Sequence, residues 1–177
     1  MTKPYVIAFA GVPGSSKSIV AYYLSIAFSL PIFSTDNIRY EVKEDLLVGD
    51  INDPSALKEF KHRQQKRFQE ILTSKQSFIR DGSVDRRWQE IKEQLDAAAY
   101  SCCLIDMELS RDFMLNLYRK TDRMWAIEEL DAYMAQHTNF MKKYSSEVTV
   151  KITDQLFNER NSVAEAAVRK FQANFLK

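Results

Sequence analysis

The amino-acid sequence predicts a three-layer α/β domain built on a parallel β-sheet, and three observations carry that expectation. Five short apolar runs alternate with longer stretches of helical periodicity, the arrangement of βαβ crossovers. The first run, Tyr5 to Ala10, is continuously apolar, as in a strand covered on both faces. Two of only four glycines, Gly11 and Gly14, fall in one polar segment between that run and a helical pattern.

In chain order, Lys17 to Ser29 reads as a helix, followed by strand candidates at Leu30 to Phe33, Ser77 to Asp81, Cys102 to Met107 and Val148 to Ile152. Asp53-Pro54 reads as a helix start, with Asp as N-cap and Pro in the first turn of Ser55 to Leu72. Asp85 and Ser110 are candidate N-caps for Arg86 to Tyr100 and Arg111 to Lys120. Met124 to Tyr144 and Glu159 to Phe175 complete a helix-rich chain without an internal repeat, linker or low-complexity segment.

With 177 residues, 45% of them hydrophobic, the chain is expected to form a single domain, 1–177, around one sizeable core. A net charge of +1 calls for neither nucleic acid nor an acidic membrane as partner, so any phosphate binding has to be local. Adjacent Cys102 and Cys103 sit in an apolar run where alternate side chains face opposite ways, which predicts buried thiols and a cytoplasmic protein. The apolar start resembles a signal peptide, but the polar loop and Lys17 interrupt it, and no run is long enough to span a membrane.

Gly11-Val12-Pro13-Gly14-Ser15-Ser16-Lys17-Ser18 fits the pattern G-x-x-x-x-G-K-[ST] except that Ser16 stands in place of the second glycine. Such a loop turns backbone N–H groups around phosphate oxygens at the positive end of a helix. In that arrangement Lys17 reaches the β- and γ-phosphates and the Ser18 hydroxyl binds Mg²⁺. The alternative is a Gly/Ser-rich turn before an ordinary helix. Ser16 tells against tight binding: its side chain can crowd the phosphates, and a left-handed backbone there costs about 1–2 kcal/mol.

Phe9 to Ser18, together with Phe33-Ser34-Thr35-Asp36-Asn37-Ile38-Arg39, resembles the P-loop kinases of small molecules and nucleotides. The likeness is strongest to ATP-binding kinases related to zeta toxin and polynucleotide kinase, and to phosphoglycerate kinases of the 2-phospho type. It implies a P-loop NTPase fold with five parallel strands in the order 2-3-1-4-5, a helical lid over about 111–125, and ATP with Mg²⁺ as cofactors. The function implied is transfer of the γ-phosphoryl group to a hydroxyl of a small-molecule or nucleoside-type acceptor. A nucleoside monophosphate kinase, or a nucleotide-binding relative without turnover, is the alternative.

On that resemblance Asp36 matches the carboxylate that contacts the acceptor hydroxyl, a role in which it can orient the group and accept its proton. From the residues alone a helix N-cap is the alternative, with Ser34 or Thr35 free to cap instead. Arg39 either clamps an acceptor's anionic group or forms a surface ion pair. Asp81 matches the acidic group that would hold the Mg²⁺ water shell beside Ser18. Arg86 and Arg87 either touch the acceptor or solvate a helix start. Arg119 and Arg123 either lie on a solvated helix face or fall where similar kinases place lid arginines that close over the transferred group, a task suited to a planar, permanently charged fork.

The basic stretch Lys58, Lys61, His62, Arg63, Lys66 and Arg67 reads chiefly as the solvated face of a helix whose buried stripe is Phe60, Phe68, Ile71 and Leu72. Trp88, Trp125, Tyr133 and Phe140 read as core. Neither His62 nor His137 shows a spacing that suggests a metal site or a Ser-His-Asp triad. Asp154 and Gln155 fall where an adenine-contacting loop belongs but form no distinctive pattern. The acceptor, the nucleotide base preference and the oligomeric state are not legible in the residues.

Overall fold

The computed structural model describes residues 3–175, leaving the side chains of Trp125 and Phe175 outside the description; the expectation that Trp125 is core therefore lies outside the described residues. Five strands, β1 (Tyr5–Gly11), β2 (Ile32–Ser34), β3 (Phe78–Ser83), β4 (Ser101–Glu108) and β5 (Val148–Thr153), form one all-parallel sheet in the order β2-β3-β1-β4-β5. Among the described residues seven helices, α1 (Lys17–Phe28), α2 (Thr35–Asp45), α3 (Pro54–Ser74), α4 (Trp88–Ala97), α5 (Arg111–Lys120), α6 (Leu130–Tyr144) and α7 (Arg160–Phe175), cover it. The predicted fold class and strand order are those observed.

The central strand explains the continuous apolar run. Along β1, Ile7 and Phe9 enter a core shared with Val20 and Leu24 of α1, Met114 and Tyr118 of α5, and Val168 of α7. Val6, Ala8 and Ala10 enter a second core with Phe68 and Leu72 of α3, Ile91 and Leu95 of α4, and Phe140 of α6. Successive side chains point to opposite faces, so a strand between two helical layers must be apolar at every position. Cys103 joins the first core and Cys102 packs against the second; both thiols are free, as their adjacency predicted.

Helix starts follow local chemistry. Asp53 accepts the N–H groups of Ser55 and Ala56 with Pro54 in the first turn of α3, and Ser110 accepts the Phe113 N–H at 3.2 Å to begin α5. Ser34, not Asp36, caps α2 by accepting the Asn37 N–H at 3.4 Å. Asp85 does not cap α4, contrary to its position in the sequence: the helix starts three residues later, at Trp88, with no side-chain cap. The expected helix from Met124 to Tyr144 is a short 3₁₀ turn, Met124–Ala126, followed by α6. No described helix is long and apolar enough to cross a membrane.

Candidate active site

The loop Val12–Ser16 joins β1 to α1 at the carboxyl edge of the sheet, where open α/β sheets bind ligands. Gly11 has φ +122°, and a Cβ there would stand 2.9 Å from both Cβ and O of Met107, so only glycine fits beside β4. Ser16 takes a left-handed conformation, φ 70° and ψ 19°, and makes no side-chain cap. The non-glycine residue therefore occupies the strained backbone state that the substitution implied.

Lys17 is almost fully buried inside the loop. Its Nζ donates to the carbonyl oxygens of Gly11 at 2.8 Å and Val12 at 2.7 Å, and to Ser15 Oγ at 3.2 Å. Burial lowers its pKa to about 8, against the opposing pull of Asp85, Asp81 and Asp106. An ammonium held only by neutral oxygens can exchange them for an anion. Ser18 Oγ donates to Asp81 Oδ1 at 2.9 Å, so the two residues expected to flank Mg²⁺ are in direct contact. A serine hydroxyl and an adjacent carboxylate are hard oxygen donors that suit this ion.

Helix α5 and the turn after it reach the loop through two residues. Tyr118 is fully buried and donates from its hydroxyl to the Pro13 carbonyl at 2.6 Å. Arg123 lies over Gly14, with Nη1 3.0 Å from where a Gly14 Cβ would stand. Arg119 is exposed on α5 and makes no hydrogen bond or ion pair among the described residues. With Met114 and Tyr118 in the core, α5 is anchored.

On the acceptor side, Asp36 and Arg39 are exposed on α2 and pair with each other at 2.9 Å. The Arg39 guanidinium also lies over the Phe60 ring of α3. Arg86 turns away to Gln136 on α6 at 2.7 Å, and Arg87 pairs with Glu90 and Gln64. No contact brings either arginine to Asp36. The basic stretch of α3 is largely a solvated face: Arg63 pairs with Glu59 and Asp45, and Arg67 grips Glu41 with two hydrogen bonds.

One cluster escaped the sequence reading. Asp85 Oδ1 accepts the backbone N–H of Gly11 at 3.1 Å and the Ser83 hydroxyl at 2.8 Å, while Oδ2 meets His137 Nδ1 at 2.9 Å. On its other side, His137 Nε2 stands 3.2 Å from Asp106 Oδ1, at ion-pair distance but outside hydrogen-bond geometry. Burial disfavours the imidazolium, yet Asp106 and Asp85 together outweigh it and raise His137 to about 9. Burial likewise opposes the Asp85 carboxylate, which His137 nevertheless holds below the usual range. His137 therefore has two acidic partners, where its sequence neighbourhood suggested none. The legible signal is Asp106 itself, a carboxylate at 0% exposure inside the apolar run of β4, which requires a cation nearby.

No protein-family model and no curated protein matches the chain. Solved structures do. A protein of Chloroflexus aurantiacus assigned as a kinase superposes with TM-score 0.67 at 15% identity, covering 98% of each chain. A gluconokinase from Sinorhizobium meliloti gives TM-score 0.64 at 17% identity over 98% of this chain and 97% of its own. A chain of a chromosomal toxin–antitoxin system from Streptococcus pneumoniae gives 0.58 at 10% identity over 95% and 87%. The protein thus has the fold of the P-loop kinases, the likeness its first 40 residues suggested.

Proposed function

We propose that the protein is a Mg²⁺-dependent kinase that transfers the γ-phosphoryl group of ATP to a hydroxyl of a small acceptor. The observation that carries this reading is the β1–α1 loop with Lys17 Nζ held inside it and Ser18 in contact with Asp81. Ser18 and Asp81 would hold Mg²⁺, which when bound neutralises charge on the β- and γ-phosphates. Loop amides from Gly14 to Ser18 would receive the phosphates at the start of α1, and Lys17 would give up its carbonyl partners to pair with them.

Arg123, over Gly14, would supply charge to the transferring group, whereas Arg119, on the anchored helix α5, would require that helix itself to move. Asp36 would hold the acceptor hydroxyl once Arg39 releases it, and Arg39 would then be free for an anionic group on the acceptor. Glu108, Ser110 and Asp154 line a cavity at the carboxyl ends of β4 and β5, a fitting place for the nucleotide base. Kinship of fold with a gluconokinase supports a small acceptor.

A nucleoside monophosphate kinase would need Arg39 with Arg86 or Arg87 on the acceptor phosphate, where Arg39 now pairs with Asp36, Arg86 with Gln136, and Arg87 with Glu90 and Gln64. The strained Ser16 favours instead, as the second reading, a nucleotide-binding relative without turnover. Calorimetry of ATP·Mg²⁺ binding by wild type and Lys17→Ala, with ADP formation followed across sugars, nucleosides, nucleotides and 5′-hydroxyl oligonucleotides, separates these. Lys17-dependent binding with acceptor-stimulated ADP identifies a kinase; binding without turnover on any acceptor identifies the second reading; no binding refutes both. In the kinase, Asp36→Asn is expected to lower turnover about 100-fold while leaving ATP binding intact.

A further inference from the structure

Arg80 precedes Asp81 on β3 and points to the opposite face of the sheet, into the layer of α3 and α4. It is 6% exposed, and its Nη1 has no hydrogen-bond partner among the described residues. An arginine carries five donors in a rigid fork and cannot shed its charge under ordinary conditions. Burial, helped by the nearby Arg87, lowers its pKa only to about 10, so the buried group is a cation at neutral pH.

The side chain lines a cavity of about 500 Å³ between α3 and α4, open to solvent. The other charged groups on its wall are Lys61, Arg87 and Glu90. Glu90 makes no hydrogen bond to Arg80; its oxygens accept instead from Arg87, at 2.6 and 2.9 Å, and from Gln94 at 3.4 Å. Three cations therefore face one carboxylate that is already engaged. Two amide bridges span the helices at this level, Arg87 Nη1 to Gln64 Oε1 at 2.8 Å and Gln69 Nε2 to Gln94 Oε1 at 3.0 Å. A buried cation that draws on Asp81 and Glu90 only through space, at the back of a positively charged pocket, is costly to a folded chain unless something negative enters.

We propose that this pocket binds a compact oxyanion, a carboxylate or a phosphate, whose oxygens accept from Arg80, with Lys61 at the wall adding charge. The oxyanion is either a free ion or the anionic group of a larger molecule. The proposal stands apart from the phosphoryl-transfer reading, since the pocket lies across the sheet from the Ser18–Asp81 pair.

The test is nuclear magnetic resonance of the ¹⁵N-labelled full chain, following the Arg80 Nε–Hε resonance, assigned with Arg80→Lys. Inorganic phosphate and acetate are titrated separately, followed by short hydroxy acids and sugar phosphates. A saturable shift of the Arg80 resonance is expected, while any phosphate on the loop moves the backbone amides of residues 14–18 instead, so the two sites are read independently. Affinity about tenfold higher for a larger anion supports the group on a larger molecule, and equal affinity supports the free ion. In parallel, Arg80→Met is expected to raise the Tm of the ligand-free protein by about 3 °C and to abolish the Tm rise that the anion produces in wild type. An Arg80 resonance indifferent to every anion overturns the proposal. So does an Arg80→Met protein with a lowered Tm and an undiminished response to the anion.

Discussion

Two buried charged clusters flank β1 and differ in how they are balanced. Near the β1–α1 loop, His137 lies between Asp85 and Asp106, and Asp85 also anchors the Gly11 amide. In the groove between α3 and α4, Arg80 has neither a carboxylate of its own nor a hydrogen bond for Nη1. A cluster of the first kind, in which opposite charges meet although Asp106 and His137 Nε2 make no hydrogen bond, fixes geometry, here the start of the loop relative to β3 and α6. An unbalanced one of the second kind tolerates a cost in stability that only a ligand would offset.

The contrast is broken or sharpened most strongly at His137. His137→Leu leaves two buried carboxylates facing each other and is expected to destabilise the protein by about 3–5 kcal/mol in a urea unfolding series, the reverse of the gain expected from Arg80→Met. Equal and small effects at the two sites would erase the distinction. Next, Lys17→Ala removes the loop's own cation and is expected to weaken ATP·Mg²⁺ binding by about 10- to 100-fold, measured by calorimetry, while leaving the His137 cluster and the fold in place.

A pH series probes the first cluster without mutation. The folded pKa of His137, about 9, lies above its ordinary 6.5, so its contribution is complete below pH 6.5 and is lost as pH rises toward 9. Stability is expected to fall by about 1–2 kcal/mol between pH 6.5 and 8 in wild type, and to stay flat there in His137→Leu. Lys17 has the opposite sign: its folded pKa of about 8 lies below its ordinary 10.5, so it stabilises with rising pH above 8 and flattens the decline. The smallest effect belongs to Ser16→Gly, which removes the left-handed strain at the cost of a more flexible unfolded chain. A net gain of about 0.5–1 kcal/mol is expected in thermal unfolding, with tighter nucleotide binding.

The parts of this molecule that sequence makes legible are those with a local cause. A strand buried on both faces has to be apolar throughout, a loop that wraps phosphate needs glycines before a lysine and a serine, and Asp-Pro starts a helix; β1, the Gly11–Ser18 loop and α3 follow directly. Asp81 was placed beside Ser18 by resemblance and is found there. What stayed hidden depends on contacts between distant residues. Asp85 reads as a cap because a helix pattern follows it, but Val84 donates its N–H to Phe9 O at 2.9 Å, tying the chain to β1 beside the loop where Asp85 meets Gly11. His137 is 52 residues from Asp85, and nothing in its own helix announces the pairing. Arg80 and Asp106 were each visible as a charge inside an apolar strand, a local conflict that points to a partner without naming it.

The contact of Tyr118 with the loop has a consequence for how the two segments can vary. A Cβ on Gly14 would stand 2.7 Å from Tyr118 Cε1, and the Tyr118 hydroxyl is bonded to Pro13 O, so loop and α5 are shaped as a matched pair. Position 14 and position 118 should therefore covary, large with small. Gly14→Ala alone pushes the tyrosine out of its socket, and Tyr118→Leu is expected to act as its second-site suppressor. The rescue is incomplete, because alanine still bears the backbone penalty of φ +78°.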